Sequence, residues 1–281
     1  MQSSSSQRTR HARRPSAFVV RDPTPDDVGA RVDWSAWYLT DEEDIGESVE
    51  QSEIIRILLS ALGELVAARG WTNVFWSHDN FFAWIREEPL VRVSPDAYLL
   101  DDPPPPPRPR MWQTWLPGHK PPRWAVEIVS EDWRKDYEDA PLKYAQLGTR
   151  ELVIFDPEAA LGPERRGQQV ALQVYRRDAD GAFVRVYSGD GPAPSDELGA
   201  FLVVHREGAA ARLRIALDAA GTALVPTAEE AKQAAEQAKR SAEQAKQAAE
   251  ERAQAEAEAR QAAEERVRAL EAELARLRGG S

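Results

Sequence analysis

The chain has 281 residues, of which 42% are hydrophobic, and this is enough for one sizeable core with appendages. It contains no cysteine and four scattered histidines, which argues against disulfide scaffolds and against zinc sites built from thiolates or imidazoles. The net charge is −11, and residues 17–227 carry 22 basic against 35 acidic groups. Such a domain lacks the broad basic surface of most DNA-binding proteins, although it could still hold divalent cations.

The N-terminal residues 1–16 contain four arginines and no acid. They are predicted to be a disordered basic tail, with a weak nucleic-acid or partner arm as the alternative. They lack the apolar stretch of a secretory signal, and no apolar run in the chain approaches the roughly 20 residues of a membrane span. We therefore expect a cytoplasmic protein that does not enter a membrane.

Residues 49–70 place apolar side chains at three- and four-residue steps and predict an amphipathic helix that ends at Gly70. The segment 101–122 contains five consecutive prolines and is predicted to be a long excursion rather than part of a sheet. Runs rich in valine, isoleucine and aromatic residues predict four strands, at 72–77, 91–100, 123–130 and 150–157.

Residues 138–148 predict a short helix that ends at Gly148. Residues 170–188 predict a hairpin around an Asp-Ala-Asp-Gly turn, and further strands follow. The predicted fold class is α/β (α+β), with a restriction-endonuclease-like mixed sheet flanked by helices in a domain of residues 17–226.

From Thr227 onward, seven-residue repeats such as AKQAAEQ predict a long helix or coiled coil over residues 227–278. About 50 helical residues span roughly 75 Å. Self-association of this helix into a homo-oligomer is one expectation, and a single solvated helix is the alternative. The apolar seam near its end consists of Val267, Leu270, Leu274 and Leu277.

The run WAVEIVSEDW (124–133) places Glu127 inside an apolar strand, where an unpaired charge costs several kcal/mol. Strand alternation puts Ala125, Glu127 and Val129 on one face. Asp96, in SPDAYLL on the preceding strand, is a candidate partner if the two strands are neighbours. Two adjacent carboxylates repel one another, and Mg²⁺ or Mn²⁺ with oxygen ligands would remove that conflict.

Simpler interpretations remain open for these residues. Glu127 could pair with Arg123 or Arg134, and Asp96 could form a turn after Pro95. Acidic residues downstream fit a solvated helix entry, namely Asp132, Asp136, Glu138 and Asp139. Tryptophans around the excursion either stack on bases or pack beneath the loop, namely Trp112, Trp115, Trp124 and Trp133.

Before residue 227 the chain has only three lysines, Lys120, Lys135 and Lys143, and all lie within 16 residues of Glu127. A lysine can orient or deprotonate a water, which an arginine cannot do. The cluster suggests a catalytic role, and an ordinary surface position is the alternative.

Taken together, SPDAYLL, AVEIVSEDWRKD and KYAQLGTRELVIFDPE resemble the Uma-type restriction endonucleases, a branch of the PD-(D/E)xK nuclease superfamily, from about residue 40 to 225. The resemblance implies that Asp96 and Glu127, with the carbonyl of Ile128 as a further ligand, bind Mg²⁺ or Mn²⁺. The superfamily lysine is missing from its usual place, where Val129 stands.

In Uma-type proteins the resemblance puts that lysine four residues after an aspartate that matches Asp136, and here the position is Ala140. Lys143, one turn further on, or Lys135 would then act, and a first-helix glutamate, Glu53 or Glu50, could assist. The implied function is metal-dependent hydrolysis of DNA phosphodiesters. The alternatives are a catalytically decayed nuclease fold that binds DNA or protein and assembles through its tail, and a structural coiled-coil adaptor.

Overall fold

The computed structural model describes residues 49–88, 91–130, 133–162 and 169–279. The predicted tail 1–16, the start of the predicted domain and Asp132 lie outside the described residues, as do the side chains of Leu274 and Leu277. The described residues divide into two compact units, one that ends at Ala228 and one that begins at Glu229.

Helix α1 spans Val49–Arg69 and is followed by Gly70 in the left-handed conformation, with φ +66°. A glycine adopts this conformation without steric cost, so it ends the helix as the sequence predicts. The apolar residues of α1 face inward and are almost fully buried: Ile54, Ile55, Leu58, Ala61, Leu62, Leu65 and Val66.

The main sheet has six strands in the order β1-β4-β6-β7-β8-β9. Strands β6 and β7 are parallel and all other neighbours are antiparallel, so the sheet is mixed. Its strands are β1 (Val74–Ser77), β4 (Ala97–Asp101), β6 (Trp124–Ile128), β7 (Glu151–Phe155), β8 (Leu172–Arg177) and β9 (Phe183–Gly189).

Two three-stranded sheets accompany the main sheet. One joins β10 (Ala193–Ser195), β11 (Ala200–Glu207) and β12 (Ala210–Ala216), and the other joins β2 (Phe81–Ala83), β3 (Arg92–Val93) and β5 (Met111–Gln113). The prediction that 101–122 contains no sheet element is wrong, because β5 lies in that segment and pairs with β2 in parallel. Residues 91–100 form two strands rather than one.

A π-helical turn, Lys135–Asp139, runs directly into helix α2, Ala140–Leu147. Helix α2 ends at Gly148, whose φ of +97° again requires a glycine-like conformation. Helix α3 spans Pro157–Leu161, and the last helix, α4, spans Ala228–Gly279.

The main sheet is covered on both faces. On one face α1 and the β10–β12 sheet enclose Val126, Ile128 and their neighbours, and on the other α2 packs with Ala125 and Val129. The alternation predicted for β6 and the α/β fold class are therefore confirmed. Within the described ranges, no helix is both long and apolar enough to cross a membrane.

Candidate active site

The strand register brings Asp96 and Glu127 to neighbouring positions. Strands β4 and β6 pair with Ala97 opposite Val126, and one further step places Asp96 opposite Glu127. Directly opposite residues of an antiparallel pair have Cβ atoms about 4.5–5.5 Å apart. The backbone N–H of Ile128 donates to Asp96 Oδ2 at 2.6 Å, which holds the aspartate against the end of β6.

Glu127 is 5% exposed, and its Oε1 accepts a hydrogen bond of 2.6 Å from the hydroxyl of Tyr144 on α2. Burial, and secondly the negative charge of Asp96, raise the pKa of Glu127 well above its ordinary value. Burial and the nearby Glu127 carboxylate likewise raise the pKa of Tyr144. Burial and the neighbouring acid thus both disfavour the ionised form of this glutamate.

Asp96 accepts a second hydrogen bond, from Gln51 Nε2 of α1 to Oδ1 at 2.9 Å. Burial is the largest cause that raises the pKa of Asp96 to about 6, against the lowering effect of these two hydrogen bonds. Two carboxyl groups with raised pKa values at neighbouring positions are a common mark of a functional site.

A cavity of about 180 Å³ opens beside Glu127. Its wall combines this acid with three cationic side chains and a phenyl ring, and the described lining residues are Phe81, Arg92, Val93, Ser94, Glu127, Lys135, Ala140 and Lys143. Such a mixture of carboxylate and basic groups suits a ligand that carries both a metal ion and a phosphate.

The π-helical turn explains how both predicted lysines reach this cavity. In a regular α-helix, residues eight apart differ by about 80° around the axis. A π turn closes i→i+5 hydrogen bonds and rotates less per residue, so Lys135 and Lys143 come closer to one face. Lys143 is buried, with 8% of its surface exposed, whereas Lys135 is exposed.

Ala140 also lines the cavity, at the position where the resemblance predicts the lysine. Lys135 and Lys143, from the same helical segment, line the cavity together with Ala140.

One interpretation of the sequence expects Asp136 to lie in a solvated helix entry. The structure shows that this residue is buried instead. It is 2% exposed, and its Oδ2 accepts a hydrogen bond of 3.0 Å from the backbone N–H of Ser130. Its charge contributes to the raised pKa of both Asp96 and Glu127. Asp136 therefore belongs to the acidic cluster, while Glu138 is exposed, as expected.

The structure does not bring every predicted residue to this cluster. Glu53 lies 2.6 Å from Arg212 Nη2, and Glu50 lies 3.5 Å from Nη1 of the same arginine. Two residues along α1 point in nearly opposite directions, so Gln51 contacts Asp96 while Glu53 contacts β12. Lys120 forms an ion pair of 2.6 Å with Asp102.

The simpler interpretation of Glu127 as an ion-pair partner is not what the structure shows. Arg123 pairs with Asp101 at 2.9 Å, and the guanidinium of Arg134 stacks over Trp133. Trp112 and Trp124 are almost fully buried, which favours packing for these two rings.

Four residues of the site escaped prediction: Gln51, Phe81, Arg92 and Tyr144. The tyrosine follows Lys143 directly, and a polar ring on the buried face of a short helix was a usable signal. The other three are brought to the site by long-range packing of α1 and of the β2–β3–β5 sheet, which no local pattern reveals.

The donor set fits one hard divalent cation. Each carboxylate oxygen has two lone pairs, so Asp96 retains acceptor capacity beside its two hydrogen bonds, and Tyr144 leaves Oε2 of Glu127 for coordination. Within the part of the chain that the structure describes, no group of three or more His, Cys, Asp or Glu side chains is arranged to hold a metal. One or two carboxylates with waters and a substrate phosphate are the usual Mg²⁺ environment.

Comparisons with known proteins gave a match to a family model and a structural neighbour. A family model described as "Uma2: Putative restriction endonuclease" matches residues 43–200, more than half of the chain. Among solved structures, the chain is similar to a crystal structure described as a putative nuclease belonging to DUF820 from Anabaena variabilis ATCC 29413. The identity is 16%, the coverage is 54% of this chain and 73% of that chain, and the TM-score is 0.36.

A TM-score of this size does not establish a common fold. No curated protein sequence matches the chain.

Proposed function

The chain belongs to the Uma2 (putative restriction endonuclease) family, and on this premise we propose that it hydrolyses DNA phosphodiester bonds with the help of Mg²⁺ or Mn²⁺. One observation carries the proposal. The partly buried carboxyl group of Asp96 and the buried one of Glu127 lie side by side where strands β4 and β6 pair, and Glu127 lines a cavity that also contains three cationic side chains.

Asp96 and Glu127 would hold the cation, with the carbonyl oxygen of Ile128 as a further proposed ligand. When bound, such an ion polarises a phosphoryl oxygen and lowers the pKa of a coordinated water. The hydrogen bond from Tyr144 fixes the rotamer of Glu127, and the bonds from Ile128 and Gln51 fix that of Asp96. Orientation of ligands by such partners commonly governs metal affinity.

The cationic residues of the cavity have separate tasks. Lys143 is nearly buried and therefore restricted in position, so it orients the attacking water or offsets charge in the transition state. Lys135 is close enough to lower the pKa of both carboxyl groups, and it favours their ionised, metal-binding forms. Arg92 presents a planar guanidinium that can bind a phosphate through two hydrogen bonds.

Supercoiled plasmid tests the proposed activity. The purified protein should convert it to nicked and linear forms with Mg²⁺ or Mn²⁺ but not with EDTA, and Glu127→Ala should abolish the conversion. Glu207→Ala is the matched control, because Glu207 is an exposed glutamate of β11, in a different sheet. Full activity of Glu127→Ala, or equal loss in both variants, would refute the assignment.

A second function, binding without cleavage, is favoured by one observation. The two places where relatives are expected to carry lysine hold Val129 and Ala140. A decayed site would bind DNA or protein but leave plasmid intact with either metal. Calorimetric titration separates the two functions, since heat of Mn²⁺ binding that disappears in Asp96→Asn favours the nuclease.

We also propose that the long helix α4 joins two or more copies of the chain. Val267 and Leu270 are each 54% exposed on a helix whose other described residues are mainly alanines and charged or polar side chains, and exposed apolar residues at a three-residue step are typical of a helix–helix seam. An assembly would bring two sites to one DNA, which suits cutting of both strands. A cytoplasmic location fits a chain without cysteine.

A further inference from the structure

Phe81 is an exposed aromatic residue in the wall of the catalytic cavity. It is 38% exposed, whereas its neighbours in β2, Phe82 and Ala83, are completely buried. Single exposed apolar residues are common on protein surfaces, but this ring shares a small cavity with a buried glutamate and three cations. Its position therefore bears on what the cavity binds.

Arg92 holds the ring from the adjacent strand. Strands β2 and β3 pair with Ala83 opposite Arg92, and the guanidinium carbon lies 4.1 Å from the centre of the Phe81 ring. A guanidinium at this distance forms a cation–π contact, which restrains both side chains. The pair offers an aromatic surface and a planar cation side by side at the cavity.

The charge of the domain limits how DNA can be bound. Residues 17–227 have 13 more acidic than basic groups, so a long track of phosphate contacts along a duplex is unfavourable. Affinity must then come from contacts close to the cavity. Stacking of bases on aromatic rings is such a contact, but a base inside a duplex is already stacked and cannot offer its face.

We propose that Phe81 and Arg92 form a nucleotide-binding subsite that stacks on the base next to the scissile phosphate. The site consequently prefers an unpaired DNA strand to a fully paired duplex. This inference rests on the proposed nuclease function and adds its substrate class. Among the described residues, three cations line the cavity, Arg92, Lys135 and Lys143, so log Kd for a single strand should change with log salt by a slope of about 2 in magnitude.

Fluorescence anisotropy with a labelled single strand and its duplex tests the preference, with Ca²⁺ in place of Mg²⁺ to suppress cutting. Wild-type protein should bind the single strand at least about fivefold more tightly than the duplex. Phe81→Leu should lose at least about fivefold in single-strand affinity, and Phe81→Trp should keep it. Arg92→Lys should keep the salt slope but weaken binding, because it loses the planar group.

Phe183→Leu is the matched control. Phe183 also carries a guanidinium over its ring, that of Arg177 at 5.5 Å, but it lies on β9 and does not line the cavity. Its substitution should leave both affinities unchanged, and circular dichroism checks that every variant is folded.

Plasmid cleavage by the same preparations separates the two levels of the proposal. If wild-type protein cuts DNA but Phe81→Leu binds single strands like the wild type, or if duplex binds as tightly as single strand, the subsite is refuted and the nuclease function stands. If no DNA is cut but the Phe81-dependent single-strand preference is present, the subsite stands and the nuclease function falls.

Discussion

Replacement of Asp96 by asparagine should stabilise the metal-free protein at neutral and alkaline pH. Burial raises the pKa of this carboxyl group from 3.8 to about 6, so the native state binds the proton more tightly than the unfolded chain. A shift of about two pKa units corresponds to about 3 kcal/mol. The favourable contribution is complete below pH 3.8 and declines as the pH rises to about 6, above which the loss is constant.

The asparagine variant lacks this titration. Its single amide oxygen can accept from the Ile128 N–H, whereas its NH2 group takes the place of the oxygen that accepts from Gln51, so the Gln51 amide must turn over and accept instead. Hydrogen bonds to a neutral amide are weaker than those to a carboxylate. This weakening offsets about 1–2 kcal/mol of the expected gain in stability. We therefore expect Asp96→Asn to be more stable than wild type by about 1–2 kcal/mol at pH 8. At pH 5 about half of the 3 kcal/mol has been regained by the wild-type protein, so the advantage should shrink by about 1.5 kcal/mol.

Urea denaturation in EDTA at pH 8 and pH 5 measures both quantities. Asp190→Asn is the control, because Asp190 is exposed and paired with Arg206 at the surface; it should change stability by less than about 0.5 kcal/mol at either pH. An Asp96→Asn protein that is less stable than wild type at pH 8, or whose advantage is the same at both pH values, would contradict a raised pKa of Asp96 in the folded protein.

Three further outcomes are expected. Tyr144→Phe removes the hydroxyl that orients the buried glutamate, so the Kd for Mn²⁺ measured by calorimetry should rise about 10- to 100-fold; an unchanged Kd would exclude an orienting role. Lys143→Met should lower kcat for plasmid nicking by at least about 10²-fold with little change in KM. Lys120→Met, which alters a surface ion pair, should retain activity. Equal effects of the two substitutions would exclude a catalytic role for Lys143. Substitution of both Val267 and Leu270 by serine should shift the sedimenting mass to that of one chain, and a wild-type protein that already sediments as one chain would refute assembly through α4.

Much of the scaffold is readable from the sequence. The apolar run around Glu127 predicts strand β6 and its two faces, because a period of two and a dense set of β-branched residues leave little choice of backbone. Gly70 and Gly148 mark two helix ends for an equally local reason, since both adopt positive φ values. The sequence alone does not predict that Asp96 lies opposite Glu127, because it does not show which strands become neighbours in the sheet.

Other features depend on long-range packing and could not be read locally. Strand β5 follows a proline-rich stretch and exists only because Phe81–Ala83 offers it a partner. Asp136 resembles its solvated neighbours in sequence, but the π-helical turn places it against Ser130, where it is buried. Glu53, which the resemblance expects near the site, instead forms an ion pair with Arg212. Gln51, two residues earlier and on the opposite side of α1, contacts Asp96.

Diffraction from crystals grown with Mn²⁺ tests most directly whether Asp96 and Glu127 share one cation. We expect an anomalous peak within about 2.0–2.6 Å of a carboxylate oxygen of each residue, and no such peak in Asp96→Asn crystals. Well-ordered density for both side chains without a peak between them, or a Mn²⁺ ion bound only to another carboxylate such as Asp101, would contradict a metal-dependent nuclease centre at this position.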